Sequence, residues 1–123
     1  METNAITVVY KWTANPGKLS ELKDIYDGVT AAMETNEPGA LEVQVYASED
    51  ENALYVRDVF ADAGALGFHL SQTAAPHFPN LLDIATPGTF YFFGDVPPEM
   101  QDAAKSMGLA AEFAGHRTGF YRH

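Results

Sequence analysis

The hydrophobic residues change their spacing several times along the chain, and the order of these changes limits the folds open to it. Residues 5–12 alternate between two faces, as a half-buried β-strand does. One face carries Ile6, Val8, Tyr10 and Trp12. After residues 15–17 (Asn-Pro-Gly), apolar residues recur every three or four positions as far as Met33, which predicts an amphipathic helix. This helix is expected to end before residues 37–39 (Glu-Pro-Gly), because proline cannot continue a helix.

The same two spacings return in the middle of the chain. Residues 41–46 and 54–60 alternate on either side of an acidic turn and predict a hairpin of two strands. Asp62 can cap a second helix, in which four side chains share one stripe. They are Leu66, His69, Leu70 and Thr73. This helix is predicted to break at Pro76, with a short turn at residues 81–84 after it.

The last part of the chain predicts three more elements. Residues 89–93 carry aromatic side chains on both faces, which is typical of a strand buried on both sides. Pro97 opens one more short helix and Gly108 ends it. Residues 112–122 are expected to form a final extended segment. We expect its strand to pair with a sheet edge, its own or that of a partner subunit, and so to cover a border prone to aggregation.

This order of elements predicts an α+β protein. In a ferredoxin-like βαββαβ series both main helices lie on one face of an antiparallel sheet, because each crossover is right-handed. We expect one domain over residues 1–123, with the βαββαβ core at 5–94 and a C-terminal helix-strand extension at 95–123. The helix-free face would expose an apolar patch to water. We therefore expect a homodimer in which the two sheets pack together as a dimeric α/β barrel.

Charge and composition argue against several classes of partner. Seventeen acidic and seven basic residues give a net charge of −10, which repels nucleic acid and anionic membranes, so we expect neither as a partner. The chain has no cysteine, which excludes disulfides and thiolate chemistry. Residues 1–4 do not resemble the start of a secretion signal, and no run of about 18 apolar residues occurs, so we expect a cytoplasmic protein.

Several short motifs resemble one known family. They are residues 16–18 (Pro-Gly-Lys), 37–39 (Glu-Pro-Gly), 58–62 (Asp-Val-Phe-Ala-Asp), 65–66 (Ala-Leu), 69–70 (His-Leu) and 76–78 (Pro-His-Phe). Together they resemble the antibiotic biosynthesis monooxygenase family of dimeric α/β-barrel proteins, over about residues 5–94. Residues 119–122 (Gly-Phe-Tyr-Arg) are similar to the last strand of longer members. The chain departs from the family at Phe60, where many relatives carry tryptophan, and at residues 72–75, which lengthen the link between two histidines.

The resemblance implies a cofactor-independent monooxygenase that oxidises a small aromatic phenol or quinol with O₂. Family members of known activity oxidise quinols or anthrone-like phenols without metal or flavin, and we expect no cofactor here. Once deprotonated, an electron-rich phenol can itself pass an electron to O₂. The protein then needs only an apolar pocket and a base.

His69 is the first candidate for the base, because it lies on the inward stripe and histidine titrates near neutral pH. Asp58 is expected to orient it, since Asp58 shares a strand face with Phe60 while Arg57 points the other way. Each has a structural alternative. His69 can be a buried histidine bonded to Asp58 or to a backbone carbonyl, and Asp58 can belong to a structural ion pair, within the chain or across the dimer.

Six further residues are predicted to line the substrate pocket. They are Tyr10, Trp12, Tyr46, Phe60, His77 and Tyr91. The aromatic members are also typical of an ordinary core, and His77 of a capping or surface position.

Other functions receive less support from the sequence. The four histidines form no i, i+4 pair, so no metal site is predicted. No phosphate-binding glycine loop or Gly-x-Ser-x-Gly motif occurs. The main rival is a non-catalytic dimeric module, binding a small apolar ligand or related to stress. Haem degradation comes third, because the residue set of haem-degrading relatives has no clean match here.

Overall fold

A computed structural model describes residues 4–122 of the chain. Residues 1–3 and 123 lie outside the described part, so the expectation about the chain's first residues is not addressed. The elements in chain order are β1 (Ile6–Ala14), α1 (Leu19–Asn36), β2 (Ala40–Ser48), β3 (Ala53–Phe60), α2 (Ala63–His69), a π-helical turn (Leu70–Ala74), α3 (Ala75–Ile84), β4 (Ala85–Pro87), β5 (Phe90–Phe93), α4 (Pro98–Ser106) and β6 (Ala111–Ala114).

The strands form one sheet in the order β2-β3-β1-β5-β6, and β4 also pairs with β1. All pairs are antiparallel except β5 with β6. The helix α1 joins β1 to β2, and the helical stretch from α2 to α3 joins β3 to β4 and β5. This connectivity confirms the predicted ferredoxin-like α+β fold. No helix within residues 4–122 is long and apolar enough to cross a membrane.

The predicted alternation of β1 and β3 is confirmed. Alternate side chains of β1 are buried from Ile6 to Ala14, and Val56, Asp58 and Phe60 of β3 are buried beside them. Directly opposed residues of an antiparallel pair share a face, so Val8 lies beside Asp58 and Tyr10 beside Val56. This inner face packs against the buried stripe of α1, which runs from Leu19 to Met33.

The predicted break of the second helix at Pro76 is wrong. Helical backbone runs from Ala63 to Ile84, and the irregularity is the π-helical turn before Pro76. Pro76 sits in the first turn of α3, where its missing N–H is tolerated. The capping role predicted for Asp62 is confirmed, because its carboxylate accepts the backbone N–H of Ala65 at 2.9 Å.

The prediction that the strand at residues 90–93 is buried on both sides is wrong for the single chain. Phe90 and Phe92 are buried, whereas Tyr91 is 45% and Phe93 43% exposed on the outer face. The short strand β4 was not predicted. It lies directly after α3, where a three-residue segment gives too short a pattern to recognise.

The C-terminal extension has the predicted helix but a shorter strand. The helix α4 ends before Gly108, whose φ of +81° suits the left-handed residue that closes many helices. The strand β6 pairs with β5 of the same chain, which confirms edge pairing for Ala111–Ala114. Residues 115–122 belong to no strand, so the prediction of one extended segment to residue 122 is wrong beyond Ala114.

Candidate active site

A cavity of about 50 Å³ lies between the inner face of the sheet and the helices. It exceeds the roughly 10–15 Å³ that one water needs and is smaller than the roughly 150 Å³ in which benzene binds. The sheet contributes Val8, Tyr10, Trp12, Asp58, Phe60, Phe90 and Phe92. The helices and the π-helical turn contribute Tyr26, Val29, Leu66, His69, Leu70, Ala74, His77, Phe78 and Leu81. Met107 and Leu109 come from the C-terminal extension, so the extension closes part of the cavity.

Two of the residues predicted to line the pocket lie elsewhere. Tyr46 is 57% exposed and pairs with Tyr55, and Tyr91 is 45% exposed and pairs with Val9. Both point away from the cavity because side chains alternate between the two faces of a strand. The other predicted site residues all line the cavity. They are Tyr10, Trp12, Asp58, Phe60, His69 and His77.

Asp58 is a buried carboxyl group on the inner face, only 2% exposed. Its Oδ2 accepts the hydroxyl proton of Tyr10 at 2.9 Å, and its Oδ1 has no hydrogen-bond partner among the described residues. Burial raises the pKa of Asp58 to about 6, although the His69 charge and the Tyr10 hydrogen bond act against this. Asp58 is therefore about half protonated near pH 6, instead of fully ionised. Arg57 turns to the outer face, as predicted.

A chain of hydroxyl groups leads from Asp58 to α1. The Tyr26 hydroxyl donates to the Tyr10 hydroxyl at 3.3 Å, and Tyr10 donates in turn to Asp58. Burial raises the pKa of both tyrosines. Both phenols therefore keep their protons, and the chain donates in the direction of Asp58.

His69 lies at the end of α2 and is 7% exposed. The predicted hydrogen bond between His69 and Asp58 is not formed. The Nδ1 of His69 lies instead 3.1 Å from Oε2 of Glu37, and the Thr73 hydroxyl donates to the same oxygen. Burial raises the pKa of Glu37, but the hydrogen bonds from His69 and Thr73 outweigh it and hold this pKa below its ordinary value. Glu37 is therefore an ionised carboxylate beside His69.

Glu37 was not predicted as a site residue, because the Glu-Pro-Gly step indicated a helix end and a family motif but no role for the carboxylate. The loop after α1 packs closely on α2. A Cβ added to Gly39 would lie 2.6 Å from the Cβ of Ala65, so only glycine fits there. This close approach places the Glu37 carboxylate beside His69. The packing of a glycine against a later helix has no signal in a single sequence.

His77 lies on α3 in the cavity wall and is half-buried, not on the open surface. Its Nδ1 lies 2.8 Å from the backbone oxygen of Thr73. A carbonyl oxygen can only accept, so this nitrogen carries a proton. The other ring nitrogen, Nε2, can then accept a hydrogen bond from a ligand.

Two further observations describe the surroundings of these groups. The Phe60 ring packs on the His69 ring with 5.1 Å between the centroids. Phe60 stands in place of the tryptophan expected from the family pattern. Its phenyl ring contacts the candidate base. Among residues 4–122, no three His, Asp or Glu side chains lie close enough together to hold a metal ion.

Residues 5–80 match the model of the antibiotic biosynthesis monooxygenase family. The chain belongs to this family. The family predicted from the short motifs is thereby confirmed. The match includes β3 and α2, which supply Asp58 and His69, and the loop after α1, which supplies Glu37. No curated protein matches the sequence.

Solved structures resemble the fold at low sequence identity. MupZ from Pseudomonas fluorescens has a TM-score of 0.79 and 19% identity, covering 99% of this chain and 91% of MupZ. SnoaB, a cofactor-independent oxygenase from Streptomyces nogalater, has a TM-score of 0.63 and 22% identity, covering 76% of this chain and 95% of SnoaB. A protein of unknown function from Nitrosomonas europaea has a TM-score of 0.63 and 20% identity, covering 75% of this chain and 89% of its own. These identities show a shared fold alone.

Proposed function

We propose that this protein is a cofactor-independent monooxygenase that oxidises a small aromatic phenol or quinol with O₂. The observation that carries the proposal is a buried histidine, His69, held by an ionised carboxylate in a cavity that is otherwise mainly apolar. Such a histidine can act as a base. Membership of the monooxygenase family and the similarity in fold to SnoaB, itself a cofactor-independent oxygenase, support this function. The cavity is smaller than the roughly 150 Å³ in which benzene binds, so the proposed function requires it to widen when a substrate with a single ring enters.

In the proposed reaction His69 Nε2 removes the hydroxyl proton of the substrate and leaves an electron-rich phenolate. One electron passes from the phenolate to O₂, and the resulting radical and superoxide combine to form a carbon–oxygen bond. After protonation, the hydroperoxide loses water. One oxygen atom becomes a carbonyl oxygen of the product and the other leaves as water, so substrate and O₂ give quinone and water. The apolar wall keeps bulk water from the intermediates.

The other cavity residues have proposed roles in binding. Because Oδ2 of Asp58 accepts from Tyr10, a proton on Asp58 resides on Oδ1, from which it can be donated to a substrate oxygen. This role replaces the predicted orientation of His69 by Asp58. His77 Nε2 accepts a second hydrogen bond from the substrate. Trp12 and Phe60, with Tyr10, provide aromatic surface for the ring.

A homodimer is part of the proposal. The outer face of the sheet exposes four aromatic side chains in the single chain. They are Tyr46, Tyr55, Tyr91 and Phe93. Such a patch marks an interaction surface, and packing against the same face of a second copy would cover it. A cytoplasmic location stays a prediction.

The function is tested by O₂ uptake with a panel of single-ring quinols, followed by anthrones. We expect turnover in the native protein and a loss of at least about a hundredfold in kcat for His69→Ala, since general bases contribute about 10²–10⁴. His77→Ala should mainly raise KM. His116→Ala, which replaces an exposed histidine, is the matched control and should leave the rate unchanged. Turnover that survives in His69→Ala would contradict the role of this residue.

A non-catalytic binding module is the second candidate, because a mostly apolar cavity can hold a small ligand without chemistry. Trp12, the single tryptophan, lies in the cavity wall and reports occupancy by its fluorescence. Quenching by phenols without any O₂ uptake across the panel would favour this candidate over the enzyme.

A further inference from the structure

Glu37 is a buried carboxylate to which the proposed reaction assigns no step. It is 3% exposed and lies just after α1, at the position where the chain turns towards β2. A carboxylate without partners is costly at such a depth, because burial removes its hydration. The Glu37 carboxylate can therefore stay ionised only because other groups donate hydrogen bonds to it.

Both groups that bond Glu37 come from the helical stretch on the cavity side. His69 Nδ1 is 3.1 Å from Oε2, and the Thr73 hydroxyl donates to the same oxygen. The other oxygen, Oε1, is buried without a partner among the described residues. An ionised carboxylate only accepts hydrogen bonds, so His69 must carry its proton on Nδ1.

We infer that Glu37 is a positioning residue that holds His69 with Nδ1 protonated and Nε2 free towards the cavity. This inference rests on the proposed function, because it concerns the base of that reaction. When Nε2 takes a proton, the ring becomes an imidazolium, and the adjacent negative charge stabilises it. A carboxylate behind a catalytic histidine acts in this way in serine hydrolases, where removing its charge strongly reduces the rate.

Thr73 completes the arrangement by restraining the carboxylate itself. It is 5% exposed and lies in the π-helical turn, one of the irregularities of helices that often occur at functional sites. The backbone oxygen of Thr73 also bonds His77 Nδ1 at 2.8 Å. One residue thus links the supports of both cavity histidines, and partners of this kind affect activity about 10–100-fold at metal sites.

The tautomer of His69 is the first measurement, because it needs neither substrate nor turnover. We expect ¹⁵N NMR of the histidine rings to show a proton on Nδ1 of His69 in the native protein. Glu37→Leu removes the acceptor of Nδ1, so the proton should move to Nε2. Glu34→Leu, at an exposed carboxylate near the same helix end, is the matched control and should keep the native pattern. A native pattern in a folded Glu37→Leu would overturn the inference.

Kinetics provide the second measurement. We expect Glu37→Gln to lower kcat by at least about a hundredfold, with KM within roughly threefold of the native value. Thr73→Val, which lacks the hydroxyl, should lower kcat about tenfold. Thr73→Ser, which keeps the hydroxyl, should have a kcat close to the native value. A native kcat in a folded Glu37→Gln would contradict the positioning role.

The two measurements separate this inference from the proposed function. If the native protein oxidises nothing while the His69 tautomer still depends on Glu37, the function fails and the placement of His69 stands. If the Glu37 variants do not fold, as judged by circular dichroism, the kcat of Thr73→Val compared with Thr73→Ser decides. A native kcat in Thr73→Val would then overturn the inference.

Discussion

The two faces of the sheet are built from alternating residues of the same strands, yet a charged group is buried on the inner face and hydrated on the outer face. On β3, Asp58 faces the cavity at 2% exposure, with a pKa raised to about 6 and one oxygen unpaired. Its neighbour Arg57 faces outward and pairs with Glu42 at 2.7 Å, with both side chains more than 40% exposed. The inner carboxyl group costs stability, whereas the outer pair remains hydrated at little cost. A costly polar group in a core is a mark of function.

The aromatic residues show the same contrast. On the inner side Trp12 and Phe60 are almost completely buried by the chain's own helices. On the outer side Tyr91 and Phe93 stack on each other with 6.2 Å between centroids and remain over 40% exposed. The inner aromatics therefore stabilise one subunit, while the outer ones have area left for an interface. Four substitutions can break or sharpen this contrast.

The largest effect is expected from Phe60→Ala, because it opens a cavity in a packed core. The free energy of unfolding should fall by about 3–5 kcal/mol. Urea unfolding at a fixed protein concentration measures the change. Phe68→Ala is the matched control, because Phe68 is 48% exposed on α2, and its cost should be within about 0.5 kcal/mol. Equal costs for the two variants would show that the inner face is not the main core.

Asp58→Asn should stabilise the protein in a pH-dependent way. The folded pKa of Asp58, about 6, lies above its ordinary value of 3.8, so ionisation is penalised in the folded state. The penalty is absent below about pH 4, grows between pH 4 and 6, and reaches about 3 kcal/mol above that range. Between pH 4 and 6, the free energy of unfolding of Asp58→Asn should rise relative to that of the native protein. Urea unfolding at several pH values measures the difference. A difference that does not vary with pH would contradict the raised pKa.

Phe93→Asp tests the outer face. A charge in the proposed interface should weaken the dimer at least about tenfold, which is roughly 1.4 kcal/mol, and leave the subunit folded. Sedimentation velocity over a range of concentrations measures the dissociation. Phe68→Asp, which places the same change on an exposed helix position, should leave the assembly as it is. A native protein that sediments as a stable single subunit at micromolar concentration would rule out the dimer.

Arg57→Ala should have the smallest effect, below about 1 kcal/mol, because a hydrated ion pair contributes little. Thermal unfolding of Arg57→Ala and Glu42→Gln measures it. If the free energy of unfolding of either variant fell by more than about 2 kcal/mol, the ion pair would have to be desolvated in the dimer. The contrast between the two faces would then weaken.

Much of the inner face could be predicted, because strand side chains alternate strictly. The inward direction of Asp58, the outward direction of Arg57 and the burial of His69 all follow from local spacing. The hydrogen-bond partner of His69 could not be predicted in this way. Glu37 is 32 residues away in sequence, and only the packing of its loop on α2 brings the two together.

The sequence by itself determined the order of the main strands and helices, without β4, the inward face of β1 and β3, and the family. These features depend on hydrophobic periodicity and on short motifs, which are local properties of the chain. The tertiary structure alone decided that Glu37 and Thr73 support His69 and that the extension closes part of the cavity. Those outcomes depend on contacts between segments far apart in sequence, which local spacing does not encode.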